Sequence, residues 1–400
     1  MALLLVGCEP PPKAPAKPEE VKELAKSSNR FALKLYREFS KEPGNLIFSP
    51  YGIYEALAMS SAGASGQTQQ ELKAILHTEL PEPRLSRSIA TLDDDLIAMP
   101  GWPKAKIPSI FHSFNGLWLD RSVPLQKPFV KMLKADFRVR PESLELKAKP
   151  QMSIDRINGW AFASTEGRIP KILDHLSPDA RLLLANAVYF KGGWFSEFLE
   201  RNTKREPFFL LEGGRSQTAL MHQTGAFDYT EAEGCQALGM EFLEGPFQMV
   251  FLLPERRHFK NFEASLTMEK LSDLFQQMSK GHNEQLVNVT LPRFKFEAPA
   301  PVQEALQRLG LCSPFQKSAD FSRLSTRPLW INEIYHRAFI SVDEKGAEAA
   351  AVTAISIDIM SANDEGKPRI VNFKADHPFL FLIRDRTSGA VLFMGRCLRP

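Results

Sequence analysis

The chain predicts an α+β fold in one domain spanning residues 21–400. Three observations point there. Helical periodicity is concentrated in the first quarter of the chain. Runs rich in Val, Ile and Phe, which favour strands, accumulate towards the C-terminus. No Pro-, Gly- or Ser-rich linker divides residues 21–400, and 44% of the 400 residues are apolar, enough for one large core.

The elements follow in order. "MALLLVGC" (1–8) resembles the end of a bacterial lipoprotein signal, in which Cys8 would carry lipid. Its apolar run is short and no Lys or Arg precedes Cys8, so an unstructured tail stays open as the other reading. "EPPPKAPAKPEE" (9–20) reads as an extended tether. Val21, Leu24, Phe31, Leu35 and Phe39 mark a first helix that Pro43-Gly44-Asn45 ends. A second helix starts after Ser49-Pro50 and carries Ile53, Ala56 and Leu57. "GASGQT" (63–68) is a turn, with Thr68 and Glu71 placed as a capping box for a third helix. "GLWL" (116–119), "LLLANAVYF" (182–190), "MVFLL" (249–253), "FLFLI" (379–383) and "VLFMG" (391–395) read as strands.

Composition narrows the function. The 50 basic and 47 acidic residues nearly balance, which argues against nucleic-acid binding. Lys13–Lys17, the surroundings of Arg308, and Lys104 with Lys106 read as solvated surface. Cysteines 8, 235, 312 and 397 include no CxxC pair, so no structural metal site is indicated, and Cys235, Cys312 and Cys397 read as core thiols. No run approaches the ~20 apolar residues of a membrane-spanning helix. GxSxG, HExxH, GxxxxGK[ST] and GxGxxG are all missing, so no enzyme is indicated and no cofactor is implied. "DDD" (93–95) reads as a solvated helix face rather than a cation site.

The stretch "DEKGAEAAAVTAISIDIM" (343–360) carries the most information. At period two, Ala347, Ala349, Ala351, Thr353, Ile355, Ile357 and Ile359 share one face. Glu348, Ala350, Val352, Ala354, Ser356 and Asp358 share the other. The first face is apolar or small throughout and the second carries Glu, Ser and Asp, as in a strand with one buried side. Gly346 and the alternating isoleucines weigh against a surface helix, although Ala, Glu and Lys favour one.

"SVDEKGAEAAAVTAI" resembles the reactive-loop hinge of the serpins, the serine protease inhibitors. "ADHPFLFLIRDRTSGAVLFMGRCLRP" (375–400) resembles their C-terminal signature. "NLIFSPYGIYEALAMSSAGASGQT" (45–68), "INGWAFASTEGRIPKIL" (157–173), "NAVYFKGGWFSEF" (186–198) and "LCSPFQKSADFS" (311–322) are similar to further family blocks, in order. The resemblance implies mainly antiparallel large sheets, a helical cluster and an exposed reactive loop. It also implies an irreversible suicide-substrate mechanism: a serine protease cleaves the loop, which then inserts into the central sheet and traps the covalent acyl-enzyme. Small Ala347, Ala349, Ala350 and Ala351 suit entry into a packed sheet.

Counting from the hinge glutamate Glu344, the family spacing places the cleaved bond at Met360-Ser361, with Ile359-Met360 as the neighbouring choice. Met360 implies a target with an apolar pocket, chymotrypsin-, elastase- or subtilisin-like. Ala347 stands where inhibitory members usually have Thr or Ser. Ser49, Asn186 and His336 match a polar cluster that rearranges when the sheet opens, and Gly52 stands where many members carry a second Ser, so a weaker cluster is expected. Trp194 matches the aromatic residue where the hinge enters. Arg293 matches a basic position, implying an Arg293–Glu344 ion pair. The alternative is a non-inhibitory serpin acting as a carrier, chaperone or storage protein. The resemblance further implies a monomer that is extracellular or on the cell envelope, meeting a membrane only through lipid on Cys8.

Overall fold

The computed structural model describes residues 14–98, 109–280, 285–347 and 369–400. Ala349, Ala350, Ala351, Met360 and Ser361 therefore lie outside the described residues, as do Cys8, Lys104 and Lys106. The N-terminal helices are α1 (Pro18–Phe39), α2 (Pro50–Gly63), α3 (Gly66–Leu76), α4 (Arg84–Ala98), α5 (Lys127–Asp136) and α6 (Pro150–Ser164). Later come α7 (Phe259–Ser265), α8 (Met268–Lys280) and α9 (Val302–Arg308).

The strands β1 (Leu46–Phe48), β16 (Val391–Cys397), β15 (Phe379–Asp385), β9 (Phe247–Pro254), β8 (Cys235–Glu241) and β7 (Asp228–Ala232) form one six-stranded sheet in that order. A four-stranded sheet runs β14 (Arg369–Lys374), β10 (Gln285–Pro292), β6 (Arg215–Ala226), β5 (Lys204–Phe209). The third sheet has the order β11 (Phe294–Pro299), β12 (Glu333–Asp343), β13 (Gly346–Ala347), β4 (Leu182–Gly193), β2 (Ile110–Asp120), β3 (Glu142–Leu144). Pairing is antiparallel except for β2–β3, β4–β12 and β10–β14. Each strand-like run of the sequence lies within one of these strands.

Strand β4 is buried on both faces, which explains its unbroken apolar reading. Leu182, Leu184, Val188 and Phe190 join the main core over α2, whereas Leu183, Ala185 and Ala187 pack with Ile154, Ile157 and Ala161 of α6. The third sheet is thus sandwiched between the helical cluster and α6.

Several sequence expectations change. Helix α1 begins at Pro18, inside the stretch read as a tether, because Glu20 caps it by accepting the Lys17 backbone N–H at 3.0 Å. Thr68 and Glu71 are not a capping box. Helix α3 starts three residues earlier, with Ser65 as N-cap, and these side chains instead fix a distant loop: Thr68 accepts from Asp320 N–H at 2.9 Å, and Glu71 from Cys312 and Ser313 N–H at 3.0 and 2.8 Å. Cys235 and Cys397 are buried thiols, but Cys312 is exposed. Arg308 is exposed, in keeping with its reading as solvated surface, and pairs there with Glu38 at 2.7 Å. Asp93 does not belong to a wholly solvated face, since its carboxylate accepts the Tyr51 hydroxyl at 2.8 Å.

Candidate functional site: the sheet-opening cluster and the hinge

The third sheet closes differently along its length. Glu333–Phe339 of β12 pair in parallel with Leu183–Tyr189 of β4. Above them the two strands part and admit β13, whose two residues pair antiparallel on both sides. Ala347 stands opposite Val342 and Gly192, and Gly346 opposite Asp343 and Gly193. The chain has therefore begun a new central strand at the top of a sheet that is shut below. Ala347 is fully buried there, and its methyl is compatible with that space.

Gly346 is required by this entry. Its φ is 150°, and a Cβ would lie 2.1 Å from the Gly192 carbonyl oxygen and 2.7 Å from Gly193 Cα. Both are backbone atoms of β4 and cannot swing aside.

The hinge is anchored just before it enters. Glu344 is buried (3% exposed) and accepts from Arg293, Nε at 2.7 Å and Nη2 at 2.5 Å. The Thr203 hydroxyl donates to the same oxygen. Burial pushes the Glu344 carboxyl up, but the bonds from Arg293 and Thr203 outweigh it and hold the group below its usual value. The Arg293 guanidinium is raised in turn by its bond to Glu344. Trp194 closes the mouth: its backbone N–H donates to the Lys345 carbonyl at 2.8 Å and its indole N–H to the Asp343 carbonyl at 2.9 Å. Its ring stacks on Phe242 with centroids 4.6 Å apart.

Below the mouth, a polar row crosses the buried face. Asn115 of β2, Asn186 of β4 and His336 of β12 stand side by side in register. Ser49, the N-cap of α2, donates its backbone N–H to His336 Nε2 at 3.0 Å. That nitrogen is therefore the acceptor, so Nδ1 carries the proton and donates to Asn186 Oδ1 at 2.8 Å. The Asn186 amide donates onward to Asn115 Oδ1 at 2.8 Å. Burial lowers the His336 imidazole to about 3, so it is neutral at ordinary pH. The Asn186–His336 bond spans the seam between β4 and β12, and no strand can enter while it holds.

Gly52 brings no hydroxyl to this cluster and instead lies directly against the Asn186 amide. A Cβ on it would meet Asn186 Oδ1 at 2.4 Å and Nδ2 at 2.8 Å. The bare glycine lets the amide lie flat against α2 and reach His336.

The structure thus brings Ser49, Asn186 and His336 into one network, and Trp194, Arg293, Glu344, Gly346 and Ala347 into another. Thr203, Phe242 and Asn115 were not singled out from the sequence. They sit in ordinary local patterns, and only the strand register makes them partners. Glu55 was also passed over, although a lone carboxylate inside the apolar run "PYGIYEALAM" is a visible signal.

The family model for serpin (serine protease inhibitor) matches residues 26–400. An uncharacterized serpin-like protein of Thermococcus kodakarensis is 35% identical over 388 residues, covering 95% of this chain and 86% of that protein. The crystal structure of a thermophilic serpin, tengpin, in the native state superposes with a TM-score of 0.82 at 26% identity, over 97% of this chain and 96% of that one. Human thyroxine-binding globulin, complexed with thyroxine, has the same fold at a TM-score of 0.83 and 24% identity, over 95% of this chain and 99% of that chain. The chain belongs to the serpin family.

Proposed function

We propose that this serpin is an irreversible suicide-substrate inhibitor of a serine endopeptidase with an apolar-preferring pocket, chymotrypsin-, elastase- or subtilisin-like. The observation that carries the reading is the hinge. Gly346 and Ala347 already pair with both β12 and β4, while the sheet beneath them is held shut by one buried polar row. The protease serine attacks the Met360 carbonyl carbon, the bond to Ser361 breaks, and the Ser361 amine leaves with a proton. The segment from Gly346 onward is then free to continue the strand it has begun, carrying the acyl-linked enzyme with it. Met360 is unbranched and apolar, whereas a trypsin-like pocket needs Lys or Arg to meet its buried carboxylate. The uncleaved chain is kinetically rather than thermodynamically secure. The working unit is a monomer at the cell envelope or outside the cell, held by lipid on Cys8, with no cofactor.

The test is a denaturing gel after mixing with chymotrypsin, elastase, subtilisin and trypsin in turn. A band at the summed mass with an apolar-specific enzyme, and a fragment starting at Ser361, are expected. Cleavage at Met360 with no such band would sink the inhibitory reading and move the chain to the carrier, chaperone or storage class. Anchoring is tested by fatty-acid labelling of cells expressing the chain, with Cys8→Ser losing the label.

A further inference from the structure

Helix α1 is uniform on its outer side. Between residues 22 and 41 the exposed positions are Lys22, Lys26, Arg30, Lys34, Arg37 and, just past the helix end, Lys41, and every one is basic. At 3.6 residues per turn these six fall within an arc of about 120°, and Lys22 to Arg37 spans about 22 Å. Among the described residues the ion pairs of α1 are those of Glu20 with Arg84 and of Glu38 with Lys41 and Arg308. Lys22, Lys26, Arg30, Lys34 and Arg37 therefore keep their charge free on the surface.

A solvated helix face ordinarily mixes signs, because like charges four residues apart destabilise the helix. Exposed faces elsewhere in the molecule do so: α6 shows Asp155 and Arg156, and α8 shows Glu269, Asp273 and Lys280. Lys22, Lys26, Arg30 and Lys34 repeat at the unfavourable spacing, and the fold gains nothing from it. The formal net charge is only +3, so the stripe reflects where cations are placed and not a general excess of them. Acidic groups border it without dividing it. Glu19 and Glu23 lie in the first turns of α1, and Glu269 and Asp273 share a cleft with Lys26 and Arg30.

We propose that the outer face of α1 rests on an anionic phospholipid surface, as a second membrane contact beside the lipid on Cys8. The choice of occupant rests on the Cys8 reading. Ala16 is pinned by its backbone N–H to Thr91 Oγ1 at 2.9 Å. Eight residue steps separate it from Cys8, and they reach at most about 28 Å. Lipid on Cys8 thus holds the start of the stripe close to a bilayer. The lipid sets the distance and the stripe sets the orientation. Lipid phosphates accept charge-assisted hydrogen bonds from the ammonium and guanidinium groups. No apolar side chain is exposed on this face between Lys22 and Lys41, so the contact is electrostatic, without insertion, and weakens with salt. Helix α1 packs on α2, which packs in turn on β2 and β4. The stripe is therefore on the far side of α2 from the hinge, and a surface laid against it leaves the hinge uncovered.

The experiment uses the full chain as Cys8→Ser, so that no lipid contributes. It is sedimented with vesicles of phosphatidylcholine alone or with equimolar phosphatidylglycerol. Binding is expected only to the anionic vesicles, falling as salt is raised. Each cation near such a surface is worth about fivefold in partitioning. Combining Lys26→Gln, Arg30→Gln and Lys34→Gln should therefore cost about a hundredfold, with the melting temperature kept because Gln is a good helix former. Combining Lys127→Gln, Lys131→Gln and Lys134→Gln on the exposed side of α5 removes the same charge and should change binding little. Equal losses in the two triple variants would overturn the stripe in favour of net charge. Retention on dextran sulfate or single-stranded DNA with no vesicle binding would overturn the bilayer as the occupant. Absence of fatty-acid label on the unsubstituted chain in cells, with vesicle binding intact, would overturn the Cys8 reading alone.

Discussion

Adding one methyl group at Gly52 tests whether the polar row is held by steric fit. The Cβ of Gly52→Ala would sit 2.4 Å from Asn186 Oδ1, about 1 Å inside an ordinary contact. Gly52 is on a helix packed in the core and Asn186 is on a central strand, so neither backbone yields readily. The amide must move, and a shift of about 1 Å takes its 2.8 Å bond with His336 beyond hydrogen-bond range. An imidazole N–H is then buried without a partner, at about 1–3 kcal/mol. Against this, Gly to Ala in a helix gains up to about 1 kcal/mol. In overall stability the clash should outweigh the helix gain by up to about 2 kcal/mol, but that gain is common to closed and open sheets, so the clash alone sets how fast a synthetic peptide of residues 347–360 anneals, which should accelerate at least about fivefold. Thermal unfolding and the annealing rate read the two quantities separately. A stability gain of about 1 kcal/mol with unchanged annealing would show helix propensity winning, and would refute the claim that Gly52 makes room for Asn186.

The remaining predictions concern the hinge, the histidine and the bait. Glu344→Gln should free the hinge at a cost of about 1–2 kcal/mol, reduced by salt because Arg293 is half exposed. Because the Glu344 carboxyl is held low, the clamp's contribution is present above the usual carboxylate pKa and is lost as pH falls through the lowered value, a dependence that denaturant titration should show missing in the variant. His336 has the same sign by a different route: an imidazole lowered to about 3 stabilises the fold fully above about 6.5, and up to about 1.4 kcal/mol is lost per pH unit below that. His336→Gln should remove that slope. Met360→Arg should transfer covalent complex formation to trypsin; equal trapping of trypsin by both forms would mean Met360 is not the bait.

How much was legible in the sequence depended on how local each feature is. Strand β4 and the C-terminal strands could be read because their burial is written in consecutive residues. The α1 stripe was clear, but its start was not, because Pro18–Glu20 serve a helix N-terminus as well as a tether. The site was legible only through the family resemblance. Asn186 and His336 are 150 residues apart, and Arg293 and Glu344 are 51 apart; no periodicity links such positions. Gly52 shows the limit of that route. In the sequence it reads as a missing serine and so as a weaker cluster; its close approach to Asn186 shows only in space. Glu55 and Asp93 had no family motif to flag them, and the "DDD" run conceals that its first member turns inward while Asp94 stays exposed.

The register of β13 carries the loop-insertion reading one step further. Ala347 faces Val342 on one side and Gly192 on the other. In a cleaved chain that continues this ladder, each two residues forward in the loop meet two residues back in β12 and β4. Ala349 would meet Ile340 and Phe190, Ala351 would meet Ala338 and Val188, and Ile355 would meet Ile334 and Leu184. These partners are buried, most of them in the main core, so the face that reads as small and apolar in the sequence is the one turned inward. Thr353 is the polar exception on that face, and it would fall between His336 and Asn186. Those two side chains lose each other when a strand comes between them, because their separation grows by about 4.8 Å. His336 then needs an acceptor for its Nδ1–H, and Asn186 Oδ1 needs a donor. A hydroxyl is both at once. Thr353→Val, which keeps the shape and removes the hydroxyl, should leave the uncleaved chain's denaturant midpoint unchanged. It should lower the stability of the cleaved chain by about 1–3 kcal/mol and turn more of the protein into released, cleaved substrate. Equal stability of the two cleaved forms would mean that the inserted strand does not keep the register begun at Gly346.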